Sequence, residues 1–261
     1  MSGPKLIKHE QFYSRYLRNQ RDLIIYLPPG YNQQPERRFP VIYLHDGQNL
    51  FDGATSFIPG MDWHVGQTAD QSIYEGRVEP LIIVGIYNAG KQRLREYTPT
   101  RMPRLGGGSA SRYAKFLNEE LRPFMESNYR VLGGPENTGI GGSSLGGLVS
   151  LFLGLRTPHV FGKIAALSPS VWWNQRVILR FADAAPMYPK PRIWLDIGTG
   201  EGSRTVDDVE RFRDVLLRKG WQWDQDLHYE RVDGAEHNEA AWAQRVGPFL
   251  QFLFPAGASR V

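Results

Sequence analysis

The chain of 261 residues contains no cysteine, which excludes a disulfide framework, thiolate-bound metals and a cysteine nucleophile. Its longest nearly apolar segment, Leu148–Leu155, falls far short of the roughly 20 residues that span a bilayer. The opening segment MSGPKLIKHEQFYSRY has no apolar signal-peptide core, so a soluble, cytoplasmic protein with no membrane partner is expected. No block of five like charges occurs either. Basic residues number 31 against 27 acidic ones, and 24 of the 31 are Arg. The pI near 9.3 therefore expresses a small surplus rather than a basic face, and a nucleic-acid partner is not expected. The one local excess, Lys91, Arg93, Arg95, Arg101 and Arg104, reads either as a solvated loop or as a site for an anionic group of a substrate. No repeat, low-complexity tract or linker divides the chain, which is long enough for one sizeable core.

Short apolar, β-branched runs recur, bounded by Gly, Pro and Asp: 23–27, 41–44, 81–86, 164–167, 193–197 and 227–232. Continuous apolar character marks strands buried on both faces. Between several of them lie patterns of helical period, over 111–125, 145–155, 205–219 and about 239–254. Strand alternating with helix predicts an α/β fold with a mostly parallel central sheet and helices on both faces. The division expected is an N-terminal extension or edge segment over 1–20, a single domain over 21–255 and a tail over 256–261. The run 23–27, closed by Pro28-Pro29-Gly30, reads as an antiparallel edge strand. Ligands bind such sheets beyond the carboxyl ends of the strands, so the loops that follow strands are where chemistry is sought.

One of them holds Gly142-Ser143-Ser144-Leu145-Gly146, a G-x-S-x-G segment between a short strand and an apolar helix. A nucleophile on a tight strand-to-helix turn needs residues without Cβ two places before and after it, because both crowd the turn. The turn would raise the Ser144 hydroxyl above the sheet and aim the Leu145 N–H at a developing oxyanion. The phosphate-loop reading fails: Gly139-x-Gly141-x-x-Ser144 lacks the third Gly of a dinucleotide fingerprint, and no Gly-Lys-Ser/Thr exists. A nucleotide-dependent dehydrogenase is thereby disfavoured.

A base is sought among six histidines. In a hydrolase of this type it follows the last strand, third in chain order, a place only His237 takes. His228 lies within a strand and reads as structural. His9 and His159 are not placed for catalysis. The acid should follow the strand between nucleophile and base. Glu201, in the Gly-rich turn after 193–197, is favoured, with Asp207 next. Asp196 lies inside the strand, and Thr205-Val206-Asp207-Asp208 reads as a helix-capping box. A second oxyanion donor is expected from the loop after 41–44, where Gly47 offers an unusual backbone angle and the Gln48 N–H is the candidate. Trp63, Tyr97, Trp172 and Trp173 lie in or beside mouth loops and are candidate substrate contacts, against core packing as the alternative. His45 and Asp46 lack a third ligand at suitable spacing, so no metal or other cofactor is expected.

Taken together, HDGQNLFD at 45–52, GGSSLGG at 141–147, SPSVWW at 168–173 and GAEHNEAAW at 234–242 resemble the "Putative esterase" (esterase D-like) branch of the α/β-hydrolases. That branch includes feruloyl and acetyl-xylan esterases, siderophore esterases, S-formylglutathione hydrolase and mycolyltransferases. The resemblance covers roughly residues 20–255. It implies an α/β-hydrolase fold without a large cap domain, a Ser144–His237–Glu201 catalytic set and oxyanion amides at Leu145 and Gln48. It also implies a small-molecule ester substrate: a short acyl, a feruloyl or other aryl, or a siderophore lactone ester. The chain departs from the branch at Asp46-Gly47-Gln48, where S-formylglutathione hydrolases carry Ser-Gly-Leu, and in having Glu where many relatives have Asp. Two alternatives keep the same fold: an acyltransferase using the same groups, and a non-catalytic binding protein. Oligomeric state is not legible in the sequence.

Overall fold

The computed structural model describes residues 4–257. Eight strands form one sheet in the order β1 (Lys5–Ser14), β2 (Asn19–Leu27), β4 (Ile82–Ile86), β3 (Val41–His45), β7 (Thr138–Ser143), β8 (Lys163–Leu167), β9 (Arg192–Gly198) and β10 (Leu227–Val232). From β4 to β10 all pairings are parallel, whereas β2 is antiparallel to both β1 and β4. A small ribbon of β5 (Arg101–Met102) and β6 (Gly106–Gly107) stands apart. The helices are α1 (Val65–Tyr74), α2 (Arg93–Glu96), α3 (Ala110–Phe116), α4 (Arg122–Asn128), α5 (Leu145–Arg156), α6 (Trp173–Asp183), α7 (Ser203–Arg218), α8 (Glu239–Ala243) and α9 (Val246–Leu253). This is the α/β-hydrolase architecture, and among the described residues no large cap interrupts it.

Period-two alternation sorts the core into two layers. Val41 and Tyr43 of β3 and Ile164 and Ala166 of β8 face one layer, closed by Tyr113, Phe116, Leu148, Ile178 and Phe212 from α3, α5, α6 and α7. Ile42, Leu44, Ala165 and Leu167 face the other, closed by Val65 and Ala69 of α1, Trp242 of α8 and Phe249 and Leu250 of α9. Strands buried on both sides must be apolar throughout, which is why their sequences show no polar alternation.

Several expectations are revised. The run 23–27 is antiparallel but interior, because β1 pairs outside it from Lys5↔Leu27 to Ser14↔Asn19. Of the segment over 1–20, Lys5–Ser14 forms the edge strand of the sheet. β1 was hidden because an edge strand with one wet face is rich in polar residues. The helix over 111–125 is divided by a π-helical turn at Leu117–Leu121, and that over 239–254 is two helices, α8 and α9. The proposed capping box is absent: α7 starts at Ser203 without a side-chain cap, and Asp208 is ion-paired with Arg176 of α6. Most of the tail over 256–261 lies outside the described residues.

The loop after β3 is fixed by a close approach rather than by an unusual glycine angle. The left-handed residue there is Asp46, at φ 57° and ψ 48°, not Gly47. A Cβ on Gly47 would stand 2.6 Å from the Gly85 carbonyl carbon and 2.8 Å from the Ile86 nitrogen, both backbone atoms of β4. Gly47→Ala must therefore push the loop off the sheet and is expected to cost about 1–3 kcal/mol, the range for overpacking. Thermal unfolding checks this. Tm should fall by several degrees in Gly47→Ala and stay unchanged in Gly133→Ala, where a Cβ meets nothing within 4 Å.

Candidate active site

Beyond the carboxyl ends of the parallel strands lies a cavity of about 220 Å³, lined by Asp46, Gln48, Asn49, Phe57, Ile58, Asn88, Arg93, Ser143, Ser144, His237, Glu239 and Trp242. Ser144 occupies the turn from β7 into α5 with φ 56° and ψ −121°, a conformation that residues with a Cβ rarely adopt. Its N–H donates to Leu167 O at 3.0 Å, and its carbonyl accepts from the Ser170 N–H at 3.0 Å. The backbone is thus clamped from β8 and the loop after it. A Cβ on Gly142 would sit 3.1 Å from the His45 Cβ and 3.2 Å from the Gly146 backbone, which is the crowding the G-x-S-x-G spacing relieves. The half-buried Ser144 hydroxyl lies 3.4 Å from the Ser170 hydroxyl. Leu145 is the first residue of α5, where a backbone N–H has no acceptor within the helix.

His237 follows β10 and keeps 44% of its side chain exposed, whereas the Glu201 side chain is 2% exposed. The His237 Nδ1–H donates to Glu201 Oε2 at 2.6 Å. The other carboxylate oxygen, Oε1, accepts from the Ser168 hydroxyl at 2.5 Å and the Gly198 N–H at 3.1 Å. Burial works against the charge of Glu201, but the hydrogen bonds from His237 and Ser168 outweigh it and hold the carboxyl below its usual range. Edge-on contact with Trp242, ring centres 4.8 Å apart, fixes the other side of the imidazole. Asp207 is exposed. Asp196 is engaged elsewhere, with Arg245 at 2.6 Å and the Trp194 indole at 2.7 Å.

The loop after β3 brings Gln48 to the cavity wall. Its Oε1 accepts from the Asn88 N–H at 3.3 Å. Asp46 is braced by Asn88 Nδ2 at 2.7 Å and by two bonds from Arg93, each 2.8 Å. Arg93 is thereby neutralised, which removes it as a free cation for an anionic substrate. Arg95 donates to Ser109 at 3.1 Å, and Lys91, Arg101 and Arg104 are solvent-exposed. His45 is fully buried, pushed down to about 3 by desolvation, and lies 3.0 Å from the Tyr113 hydroxyl. Among the described residues no group of three or more His, Cys, Asp or Glu is placed to hold a metal, and no helix is long and apolar enough to cross a membrane.

Three of the four aromatic candidates take the core-packing alternative. Trp63, Tyr97 and Trp173 are buried, at 1%, 0% and 0% exposure. Trp63 packs on Trp242, Tyr97 packs on His45, and Trp173 donates to Thr100 O at 3.0 Å. They are core, because bulky aromatics near a loop are drawn under it by their apolar area. Trp172 is exposed, its ring tilted by 55° against that of Trp173 with centres 5.8 Å apart, outside the cavity lining. The apolar wall is built instead by Phe57, Ile58 and Trp242, and Phe57 is 82% exposed at the rim. Glu239 was also missed. Its carboxylate accepts from Asn49 Nδ2 at 3.1 Å, and burial raises its pKa. Both Glu239 and Trp242 follow His237 so closely in the chain that the His segment was itself their signal.

The sequence profile of the family described as "Putative esterase" matches residues 14–252, and the chain belongs to that family. It is 29% identical over 256 residues to the uncharacterized protein YbbA of Bacillus subtilis, covering 92% of this chain and 95% of the relative. It is 31% identical over 165 residues to the ferri-bacillibactin esterase BesA of the same organism, covering 57% and 54%. Among solved structures, the BES protein from Bacillus cereus superposes with a TM-score of 0.78 at 23% identity, over 97% of this chain and 95% of that one. Membership makes the chain a carboxylic ester hydrolase.

A carboxyl held below its ordinary value of about 4.3 means that, below that value, the folded protein binds fewer protons than the unfolded chain. The stabilisation from Glu201 is therefore complete above the ordinary value and is lost as pH falls through the depressed one. The Tm difference between wild type and Glu201→Gln should be widest at neutral pH and should narrow as pH falls below about 4. A difference that does not change with pH contradicts the assignment.

Proposed function

We propose that this member of the esterase family is a serine carboxylesterase in which Ser144 is the nucleophile, His237 the base and Glu201 the group that orients the base. The observation that carries the reading is the meeting of two features in one cavity. Ser144 sits on a left-handed turn at the end of β7, and His237 has its Nδ1–H committed to a buried carboxylate. With Nδ1 acting as donor, Nε2 is the acceptor nitrogen and can take the proton of the Ser144 hydroxyl. The alkoxide attacks the ester carbonyl, and the N–H groups of Leu145 and Gln48 receive the oxyanion. The imidazolium returns its proton to the departing alcohol. Water, deprotonated by His237 in turn, then releases the acid from the acyl-serine.

The partly exposed imidazole leaves the acyl-enzyme open to water, which favours hydrolysis over transfer of the acyl group to an alcohol. A cavity of about 220 Å³ with Phe57, Ile58 and Trp242 in its wall suits one short acyl or aryl portion of an ester, the remainder lying outside past Phe57. A feruloyl ester and a catechol lactone both meet that description, and the relative named for ferri-bacillibactin supports the second.

Ser144→Ala should lower kcat on a p-nitrophenyl ester by about 10⁴–10⁶ with an unchanged Tm. Turnover surviving in that variant rules out the assignment. A panel of p-nitrophenyl acyl lengths, methyl ferulate and a catechol lactone ranks the substrate classes by kcat/KM.

A further inference from the structure

Behind Glu201, on the side away from His237, lies a buried polar group with no part in the steps above. The Ser168 hydroxyl donates to Glu201 Oε1 at 2.5 Å and accepts from the Trp242 indole N–H at 3.1 Å and from Arg245 Nη1 at 3.0 Å. Neither the indole nor the guanidinium can accept a hydrogen bond. With both lone-pair sites taken by obligate donors, the single hydroxyl proton has one destination, the carboxylate. Oε1 is thus claimed from behind, and Oε2 is left facing the imidazole. The second hydrogen of Arg245 Nη1 goes to Asp196 Oδ1 at 2.6 Å, and the same oxygen receives the Ser168 N–H at 3.1 Å.

These groups are deeply buried: Ser168 is 1% exposed, Arg245 2% and Asp196 0%. Stability does not account for them. A buried ion pair contributes little net over well-packed apolar side chains of the same volume, and Arg245 Nε and Nη2 have no hydrogen-bond partner among the described residues. Ser168 also carries φ 43°, a strained value for a residue with a Cβ. Glycine would suit that backbone, yet the position holds a hydroxyl.

We propose that Ser168 and the Asp196–Arg245 pair are positioning residues that fix the Glu201 carboxylate in the orientation that receives His237. The proposal rests on the serine-esterase reading of Ser144, Glu201 and His237. The pair acts through Ser168: Asp196 holds Arg245, Arg245 and Trp242 set the direction of the hydroxyl, and the hydroxyl sets the carboxylate. Without that hydroxyl, Oε1 keeps only the longer bond from the Gly198 N–H, 3.1 Å; the carboxylate is then less firmly aimed at the imidazole, and the loss would appear in the chemical step rather than in substrate binding.

Two variants of the full chain test this, with active-site concentration taken from titration by an organophosphonate. Ser168→Gly removes the hydroxyl at a backbone angle that favours glycine. Asp196→Asn combined with Arg245→Met removes both charges together, so that neither is left buried alone. In Ser168→Gly, kcat per titrated site on p-nitrophenyl acetate should fall about 10–100-fold, by analogy with the hydrogen-bond partners that orient metal ligands, with KM within about twofold of wild type. Wild-type kcat per titrated site, or a loss carried by KM alone, overturns the proposal. Should Ser168→Gly fail to fold, the double variant decides by the same criterion. Ser144→Ala, assayed alongside, separates the two readings. Activity in Ser144→Ala defeats the serine-esterase assignment itself. An inactive Ser144→Ala beside a fully active Ser168→Gly defeats only the positioning role.

Discussion

At residue 144 the chain leaves β7 and enters α5 through φ 56° and ψ −121°, and that backbone geometry is what the rest of the site is arranged around. A left-handed angle at a residue with a Cβ costs on the order of 1–3 kcal/mol and persists only where its surroundings over-determine it. Here β7 is held between β3 and β8. The Ser144 peptide groups are bonded to Leu167 and Ser170, and the glycines at 142 and 146 leave room where a Cβ would collide. The same turn places the hydroxyl beyond the carboxyl end of β7 and sets the first N–H groups of α5 beside it, so the proposed nucleophile and the proposed oxyanion donor come from one local constraint.

The neighbouring strands supply the other groups, in order along the sheet. Asp46 and Gln48 follow β3, Asn88 follows β4, Ser168 and Ser170 follow β8, Glu201 follows β9 and His237 follows β10. Burial grades across this row. Glu201 is enclosed and His237 partly open, so the carboxylate meets the imidazole in a poorly solvated place where its charge acts strongly. Behind Glu201, Arg245 and Asp196 neutralise each other, and the hydroxyl of Ser168 reaches the carboxylate beside the Gly198 N–H. The loop after β3 is stiffened in the same manner, with Arg93 and Asn88 on Asp46. Both halves of the site are thus braced by ion pairs, Asp46–Arg93 in the cavity wall and Asp196–Arg245 behind Glu201.

Much of this was legible in the sequence because the information is local. Strands such as 41–44 and 164–167 announce themselves by unbroken apolar character, and α5 by the run from Leu145 to Leu155. Ser144 is marked by the steric demand of its own turn, and His237 and Glu201 by lying in loops that follow strands in a fixed chain order. What was not legible depends on distant contacts. β1 carries Lys8, His9, Glu10 and Gln11 and gains strand character only from pairing with β2. Trp63, Tyr97 and Trp173 look the same in sequence whether they line a cavity or fill the core, and only packing decides. Arg93 is a loop cation until Asp46, 47 residues away, is seen against it. Ser168, Asp196 and Arg245 come from three separate segments, and no spacing rule relates them.

Covalent stoichiometry decides whether Ser144 is a nucleophile activated by His237. The wild-type chain is exposed to an organophosphonate, and its intact mass and peptide map are read. One adduct per chain is expected, on the peptide bearing Ser144, with labelling slowed by orders of magnitude in His237→Ala. An adduct on another residue, no adduct on the folded protein, or equal labelling rates in wild type and His237→Ala would contradict that assignment.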